Sequence, residues 1–285
     1  MNILLITPLY ASHWDAGHYW LKALSRMGHA ITVWDYRAEP LGLRGHLHQD
    51  LILVMKGENV PLTALKAICP TAPLVCYWPD SFRRSAPCWP GMLMERYDHV
   101  FTPVRPTPEG MRWLPTGWDP DIHRPLFEER PYSYVYIGTN NSRYKYDMVE
   151  AIRPSVLAGN GWPKEMGAIP ATYNQGFVET VSKAKVAINL HQDPEIGVNR
   201  KFFEMAACAL TITDRPPGME EILGDLRYKL TFRTADEART MAAYYLTYPE
   251  EAKKIWTLER EKIASYTYER AAEIILRTAY PGYTP

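Results

Sequence analysis

Glu195-Ile-Gly-Val-Asn199-Arg200-Lys201-Phe-Phe-Glu204-Met-Ala-Ala-Cys-Ala-Leu-Thr-Ile-Thr-Asp214 carries a loop, a helix and a strand pattern in one unbroken run. It opens polar, with a glycine. It continues as a short helix pattern, with Phe202, Met205, Ala206 and Leu210 on one side and Phe203 and Ala207 widening the apolar face. It ends in a buried-strand pattern, Ala209 to Thr213, closed by Asp214. A loop feeding a helix start is a ready anion site, because the first-turn N–H groups are unpaired and the helix dipole is positive there. Arg200 and Lys201 stand at that start, and two cations beside free N–H groups suit a diphosphate. Glu204, four residues after Arg200, is placed to accept hydrogen bonds from a pair of sugar hydroxyls. The plainer reading is an amphipathic helix with a solvated Arg-Lys pair.

Outward from this stretch, short apolar runs alternate with amphipathic segments. Ile3 to Thr7 reads as a buried parallel strand, Gly17 to Met27 as a helix stopped by Gly28, and Ala30 to Trp34 as the second strand. Further strands are expected at Leu51 to Met55, Leu74 to Trp78, His99 to Thr102 and about Trp113, with a short helix at Pro61 to Ile68. Pro115 to Pro131 is rich in Pro, Gly and Asp and reads as a linker. A second block follows, with strands at Tyr134 to Gly138, Val186 to Leu190 and Tyr228 to Phe232. Its helices are expected at Tyr146 to Val156, Tyr173 to Ala184, from Thr234 (a capping box with Glu237), from Pro249, and at Tyr268 to Thr278. Two strand–helix blocks predict an α/β chain of two doubly wound Rossmann-like domains facing a cleft, with ligands at the C-terminal strand ends.

Composition sets limits. The 285 residues suit one large domain or two ordinary ones, and 46% apolar content suffices for real cores. Lys plus Arg balances Asp plus Glu, which speaks against a general nucleic-acid or membrane surface. Cys69, Cys76, Cys88 and Cys208 form no C-x-x-C pair and no zinc spacing, so free thiols in a reducing cytoplasm are expected. No run reaches the length of a membrane span. The start, Met-Asn-Ile-Leu-Leu-Ile-Thr-Pro, lacks a basic region and reads as a first strand.

With these residues in view, the stretch resembles the nucleotide-sugar motif of GT-B glycosyltransferases, closest to the CgeB-like branch and the glycosyltransferase family 4-like group. The points of likeness are Asn199-Arg-Lys-Phe-Phe-Glu204 and Thr213-Asp214. Eight residues separate Glu195 from Glu204 where retaining members have seven, and Ala209 stands where a glycine is usual. Leu114-Pro-Thr-Gly-Trp-Asp119-Pro-Asp-Ile-His-Arg-Pro125 resembles the passage by which these enzymes leave their first domain. Gly138 to Arg143 resembles their glycine loop.

The resemblance implies four segments. These are an acceptor-side domain (1–118), a linker (119–131), a nucleotide-sugar domain (132–266) and a C-terminal helix (267–285) that crosses back to the first domain. It implies transfer of a sugar from a nucleotide-diphosphate sugar, UDP-linked, to an acceptor hydroxyl without a metal. Donor-binding candidates are Gly138, Arg143, Glu195, Asn199, Arg200, Lys201 and Glu204. Candidates for the base are His13 and Asp15, after the first strand, and Asp80, just past the fourth. Asp15 is equally a cap for the helix that follows. Asp119-Pro-Asp121 matches a D-x-D metal motif but falls in the linker passage, so no metal site is expected. The acceptor stays open between a small molecule, a glycan and a modified DNA base. A non-catalytic nucleotide or sugar binder on the same fold is the rival reading.

Overall fold

The computed structural model describes residues 1–9, 16–38, 48–57, 60–82, 89–115, 117–193 and 197–284. The chain divides into two compact units, Met1–Thr116 with Thr267–Pro285, and Gly117–Tyr266.

The first unit is built on a parallel sheet. Its strands are β1 (Asn2–Ile6), β2 (Ala30–Trp34), β3 (Leu51–Met55), β4 (Leu74–Tyr77), β5 (His99–Thr102) and β6 (Arg112–Trp113). They lie in the order β2-β1-β3-β4-β5-β6, every pair parallel. Ile3 to Ile6, Leu51 to Val54 and Leu74 to Cys76 are fully buried. Such continuous apolar runs belong to strands covered on both faces. Helices α1 (Gly17–Arg26), α2 (Leu62–Ile68) and α3 (Trp89–Arg96) connect the strands. Gly17 is required by space: a Cβ there would sit 2.5 Å from Thr7 Oγ1.

The second unit repeats the plan. Its strands are β7 (Tyr132–Ile137), β8 (Val156–Ala158), β9 (Ala184–Asn189), β10 (Leu210–Asp214) and β11 (Thr231–Phe232). They order as β11-β10-β9-β7-β8, again all parallel. Its helices are α4 (Arg143–Ile152), α5 (Asn174–Ser182), α6 (Arg200–Cys208), α7 (Met219–Leu223), α8 (Arg227–Leu230), α9 (Ala235–Thr247) and α10 (Pro249–Ile263). In both units the first strand lies between the second and the third, so chain direction reverses across the sheet beside it. A parallel sheet binds ligands at that reversal, at the carboxyl ends of the strands.

The last helix, α11 (Tyr268–Ala279), lies in the first unit and packs on α1. Thr267 caps it by accepting from the Arg270 N–H at 3.1 Å. Tyr268 stacks on Tyr19 at 5.1 Å and meets Trp20 edge-on at 5.6 Å. Glu269 pairs with Arg26 at 3.2 Å.

Several local expectations shift. Helix α4 starts at Arg143, three residues before the expected Tyr146, because Ser142 caps it through the Lys145 N–H. It stops at Ile152, before Pro154, which cannot continue a helix. Val156, the expected end of that helix, instead opens strand β8 (Val156–Ala158). The expected strand Tyr228 to Phe232 is mostly helix α8, with only Thr231–Phe232 paired. Helix α3 is additional.

Candidate functional site

In the second unit the reversal falls between β7 and β9. At the carboxyl end of β7 stand Ile137 and Gly138. Past β9 come Leu190 and His191, and β10 ends on Asp214. Helix α6 starts at the same end. Asn199 holds that start: its Oδ1 accepts from the Phe202 N–H at 3.0 Å, and its Nδ2 donates to the Leu190 carbonyl at 3.4 Å. The cap therefore orders the helix and ties its positive end to the strand that precedes His191. From Phe202 to Cys208 every α6 residue is buried, so the helix is fixed by packing on all sides.

Lys201 reaches back across the reversal. Its Nζ donates to the Ile137 carbonyl at 2.6 Å and lies 4.8 Å from the centre of the Tyr136 ring. Gly138 makes room for it, since a Cβ at 138 would come within 2.9 Å of that Nζ. Burial and then the neighbouring Lys145 charge lower the Lys201 ammonium to about 7, against the pull of Asp214 and Glu204. The unfolded chain keeps the ordinary value of 10.5. Between these values the unfolded state binds more protons, so this group's contribution to stability rises with pH across that window. We expect the stability of the wild type to gain on that of Lys201→Met by up to about 1.4 kcal/mol per pH unit above neutrality. Urea unfolding at pH 6 to 9 measures this, and a pH-independent difference would contradict the buried-ammonium assignment.

Beside Lys201 lies a buried pair, His191 and Asp214, each 2% exposed. His191 Nδ1 is hydrogen-bonded to Asp214 Oδ1, and the His191 backbone N–H donates to Oδ2 at 3.0 Å. Tyr144 OH donates to Oδ2 at 3.0 Å, and Thr213 Oγ1 donates to Oδ1 at 3.2 Å. Burial pushes the Asp214 carboxyl up. The adjacent imidazole and these hydrogen bonds outweigh burial and hold it below the usual carboxylate range. The ring is thus fixed through Nδ1. Its Nε2 is buried and has no hydrogen-bond partner among the described residues. Buried polar atoms are nearly always satisfied, so an orphan at a strand-end crevice marks a place where a ligand completes the set.

A second orphan lies one turn into α6. Glu204 is 5% exposed, and its Oε1 has no hydrogen-bond partner among the described residues. Arg200 Nη1 stands 3.7 Å and His123 Nε2 3.8 Å from that oxygen, both longer than a hydrogen bond. His123 comes from the turn at 119–123, which is locked by Asp119. The Asp119 carbonyl accepts from the His123 N–H at 2.8 Å and its Oδ1 accepts from the Asp121 N–H at 2.9 Å.

The donor-side residues expected from sequence therefore divide. Gly138, Asn199, Arg200, Lys201 and Glu204 converge on the carboxyl end of the second sheet. Asn199 does so as the helix cap, with both ends of its amide engaged. Arg143 does not join them. It opens α4 with its side chain 82% exposed and paired to Asp147 at 2.8 Å. Lys145, which reads equally as surface, is buried, and its Nζ donates to Asn141 Oδ1 at 3.0 Å. Glu195, His13 and Asp15 lie outside the described residues. Asp80 follows β4 in the first unit and pairs with Lys56 at 2.6 Å. His191 and His123 join the site without having been singled out by sequence. Among the described residues no group of His, Cys, Asp and Glu is arranged to hold a metal ion, and no helix is long and apolar enough to cross a membrane.

Residues 143–277 match a family model described as "Glycosyl transferase-like". No curated protein matches the chain. Among solved structures it resembles the Anabaena protein Alr3699/HepE, solved with UDP and glucose, at 10% identity and a TM-score of 0.70, over 98% of this chain and 99% of that one. It resembles the DNA-modifying β-glucosyltransferase of phage T4, solved with and without uridine diphosphoglucose, at 12% identity and a TM-score of 0.61, over 98% and 99%. A third likeness is AviGT4, a glycosyltransferase of avilamycin A biosynthesis, at 12% identity and a TM-score of 0.61, over 98% and 97%. At such identities the likeness is one of fold, and these chains share the two-domain GT-B plan. The strand-end site built around α6 thus lies within the residues that the glycosyl transferase-like model matches, in a chain with the GT-B fold.

Proposed function

We propose that this chain is a glycosyltransferase that moves a sugar from a nucleotide-diphosphate sugar, a UDP-sugar, to an acceptor hydroxyl. The observation that carries the proposal is the buried, unpartnered Oε1 of Glu204, one turn inside a helix whose cationic tip carries Arg200 and Lys201. A carboxylate there accepts from a ribose hydroxyl while the helix tip holds the adjoining diphosphate. The UDP and UDP-glucose complexes of the HepE and T4 proteins support the choice of nucleotide. Breaking the bond from the sugar to phosphate puts charge on the leaving diphosphate. Arg200 and the α6 N-terminus meet that charge with a fixed cation and dipoles, and an adjoining diphosphate favours the protonated form of Lys201 beside them. The same groups make metal-free transfer the expected mode, and EDTA should leave turnover unchanged. We place the chain in the CgeB-like group on the motif at 199–214.

On the acceptor side we propose Asp80, with Asp15 and His13, as the groups that take the acceptor proton. The pairing of Asp80 with Lys56 must open for this role. The test is thermal unfolding with a panel of nucleotide sugars. A ligand at 100 times its Kd stabilises by about 2.7 kcal/mol, a shift of several degrees. UDP-sugars should shift the midpoint and adenine or guanine counterparts should not. Slow hydrolysis of the stabilising donor separates an enzyme from a binder. The T4 likeness gives a DNA acceptor as a second reading; salt-sensitive DNA binding tests it.

A further inference from the structure

The turn at 119–123 reads as linker, yet it delivers a fully buried imidazole to the carboxylate proposed to bind ribose. His123 is 1% exposed. Its Nδ1 accepts the Asp119 N–H at 3.0 Å. A neutral ring carries one proton, and with Nδ1 used as acceptor that proton is on Nε2. Burial disfavours the charged ring, and Arg200 adds to this, while Glu204 opposes it; the net direction is down, so the neutral form with this tautomer is the resting one. Nε2–H faces Glu204 Oε1 at 3.8 Å, and Arg200 Nη1 faces the same atom at 3.7 Å. One oxygen of the carboxylate is thus flanked by two donors. Neither is at bonding distance, so both hold that oxygen by charge and dipole while its lone pairs stay open to a ligand.

Building on the donor reading above, we infer that His123 is a positioning residue that holds the Glu204 carboxylate as acceptor for the vicinal ribose diol. Arg200 alone would draw Glu204 toward its own side of the site, since the guanidinium is its cationic partner on α6. The imidazole, anchored from behind by the Asp119 backbone, opposes that pull and keeps the carboxylate at one orientation. The consequence is selectivity for ribose over sugars lacking the diol. A site built to hydrogen-bond a hydroxyl rejects the analogue without it, because its own buried acceptor is then left unpaired.

The experiment compares binding of UDP and 2′,3′-dideoxy-UDP by calorimetry in the wild type, His123→Phe and His123→Gln. Both variants lose the Nδ1 acceptor for Asp119, but only Gln keeps an N–H donor at the Nε2 position. The wild type should bind the dideoxy compound roughly 10- to 100-fold more weakly than UDP. His123→Gln should keep most of that ratio, and His123→Phe should shrink it to less than about 3-fold, mainly by loss of UDP affinity. An unchanged ratio in His123→Phe would overturn the inference. So would equal losses in the two variants with the ratio kept, which would mark the ring as a support for the turn. A wild type that binds no UDP would instead defeat the donor reading itself.

Discussion

Arg200→Ala should lower kcat/KM for a UDP-sugar by roughly 10²- to 10³-fold, with the protein still folded. The guanidinium is on the first residue of α6, where the dipole already favours an anion, and its side chain is 28% exposed. Nothing in the cap depends on it, because Asn199 supplies the hydrogen bond that starts the helix. Its ion pair with Glu204 is long, 3.7 Å, and losing that pair costs about 1 kcal/mol or less, a few degrees of midpoint. The functional loss is much larger, because a donor placed where charge develops acts in the transition state more than in the ground state. Arg200→Lys keeps the charge but not the planar fork, and should fall in between, roughly tenfold below wild type. Circular dichroism and thermal unfolding check the fold, and initial rates check the chemistry. Full turnover in a folded Arg200→Ala would remove α6 from the diphosphate. In contrast Arg143→Ala, whose side chain is already paired to Asp147 in solvent, should change the rate by less than about threefold.

Arg200 starts a helix at the strand-end crevice while Arg143 lies in solvent, a difference of placement that the local sequence does not carry. Buried parallel strands announce themselves as apolar runs, and Leu51–Met55 and His99–Thr102 fall where the pattern puts them. The α6–β10 unit is legible because one helix face and one strand follow without a break. Strand Val156–Ala158 is not, since three residues after a proline carry no period. Helix α3 begins Trp89-Pro90-Gly91, which reads as a breaker even though proline is tolerated in a first turn. Charged residues resist local reading most. Arg143 and Lys145 are two residues apart on α4, and one is solvated while the other is buried against Asn141. A loop motif cannot say which of the two faces inward. His123 and His191 escape local reading for another reason: each faces a partner far along the chain, Glu204 for one and Asp214 for the other. The available signal for His191 was its place directly after a buried strand at the sheet reversal, where any polar residue is a candidate.

That place gives the second large effect. We expect His191→Asn to weaken UDP binding by roughly 10- to 100-fold and to leave uridine binding within about twofold. The pair Asn and Gln separates the two faces of the imidazole. Asn sets an amide N–H where Nδ1 stood, so Asp214 keeps its side-chain donor, and the backbone N–H of residue 191 continues to donate at 3.0 Å. What Asn lacks is any atom at Nε2, the buried and unpartnered position. Gln has the opposite geometry, with an N–H donor at the Nε2 position. If Nε2 carries a proton and donates it to the diphosphate, Gln should bind UDP several-fold more tightly than Asn, and both should bind uridine alike. If His191 serves only to donate a hydrogen bond to Asp214, the order reverses, because Asn then preserves the function and Gln disturbs it. Asp214→Asn provides the third arm. It leaves Nε2 in place but loosens the ring, so it should weaken UDP less than His191→Asn does and lower the unfolding midpoint more. The stability cost follows from the four described donors to Asp214, the His191 backbone and ring, Tyr144 and Thr213, all at a buried carboxylate. Parallel losses of UDP and uridine across the three variants would assign the pair to architecture and return the diphosphate to Arg200 and Lys201 alone.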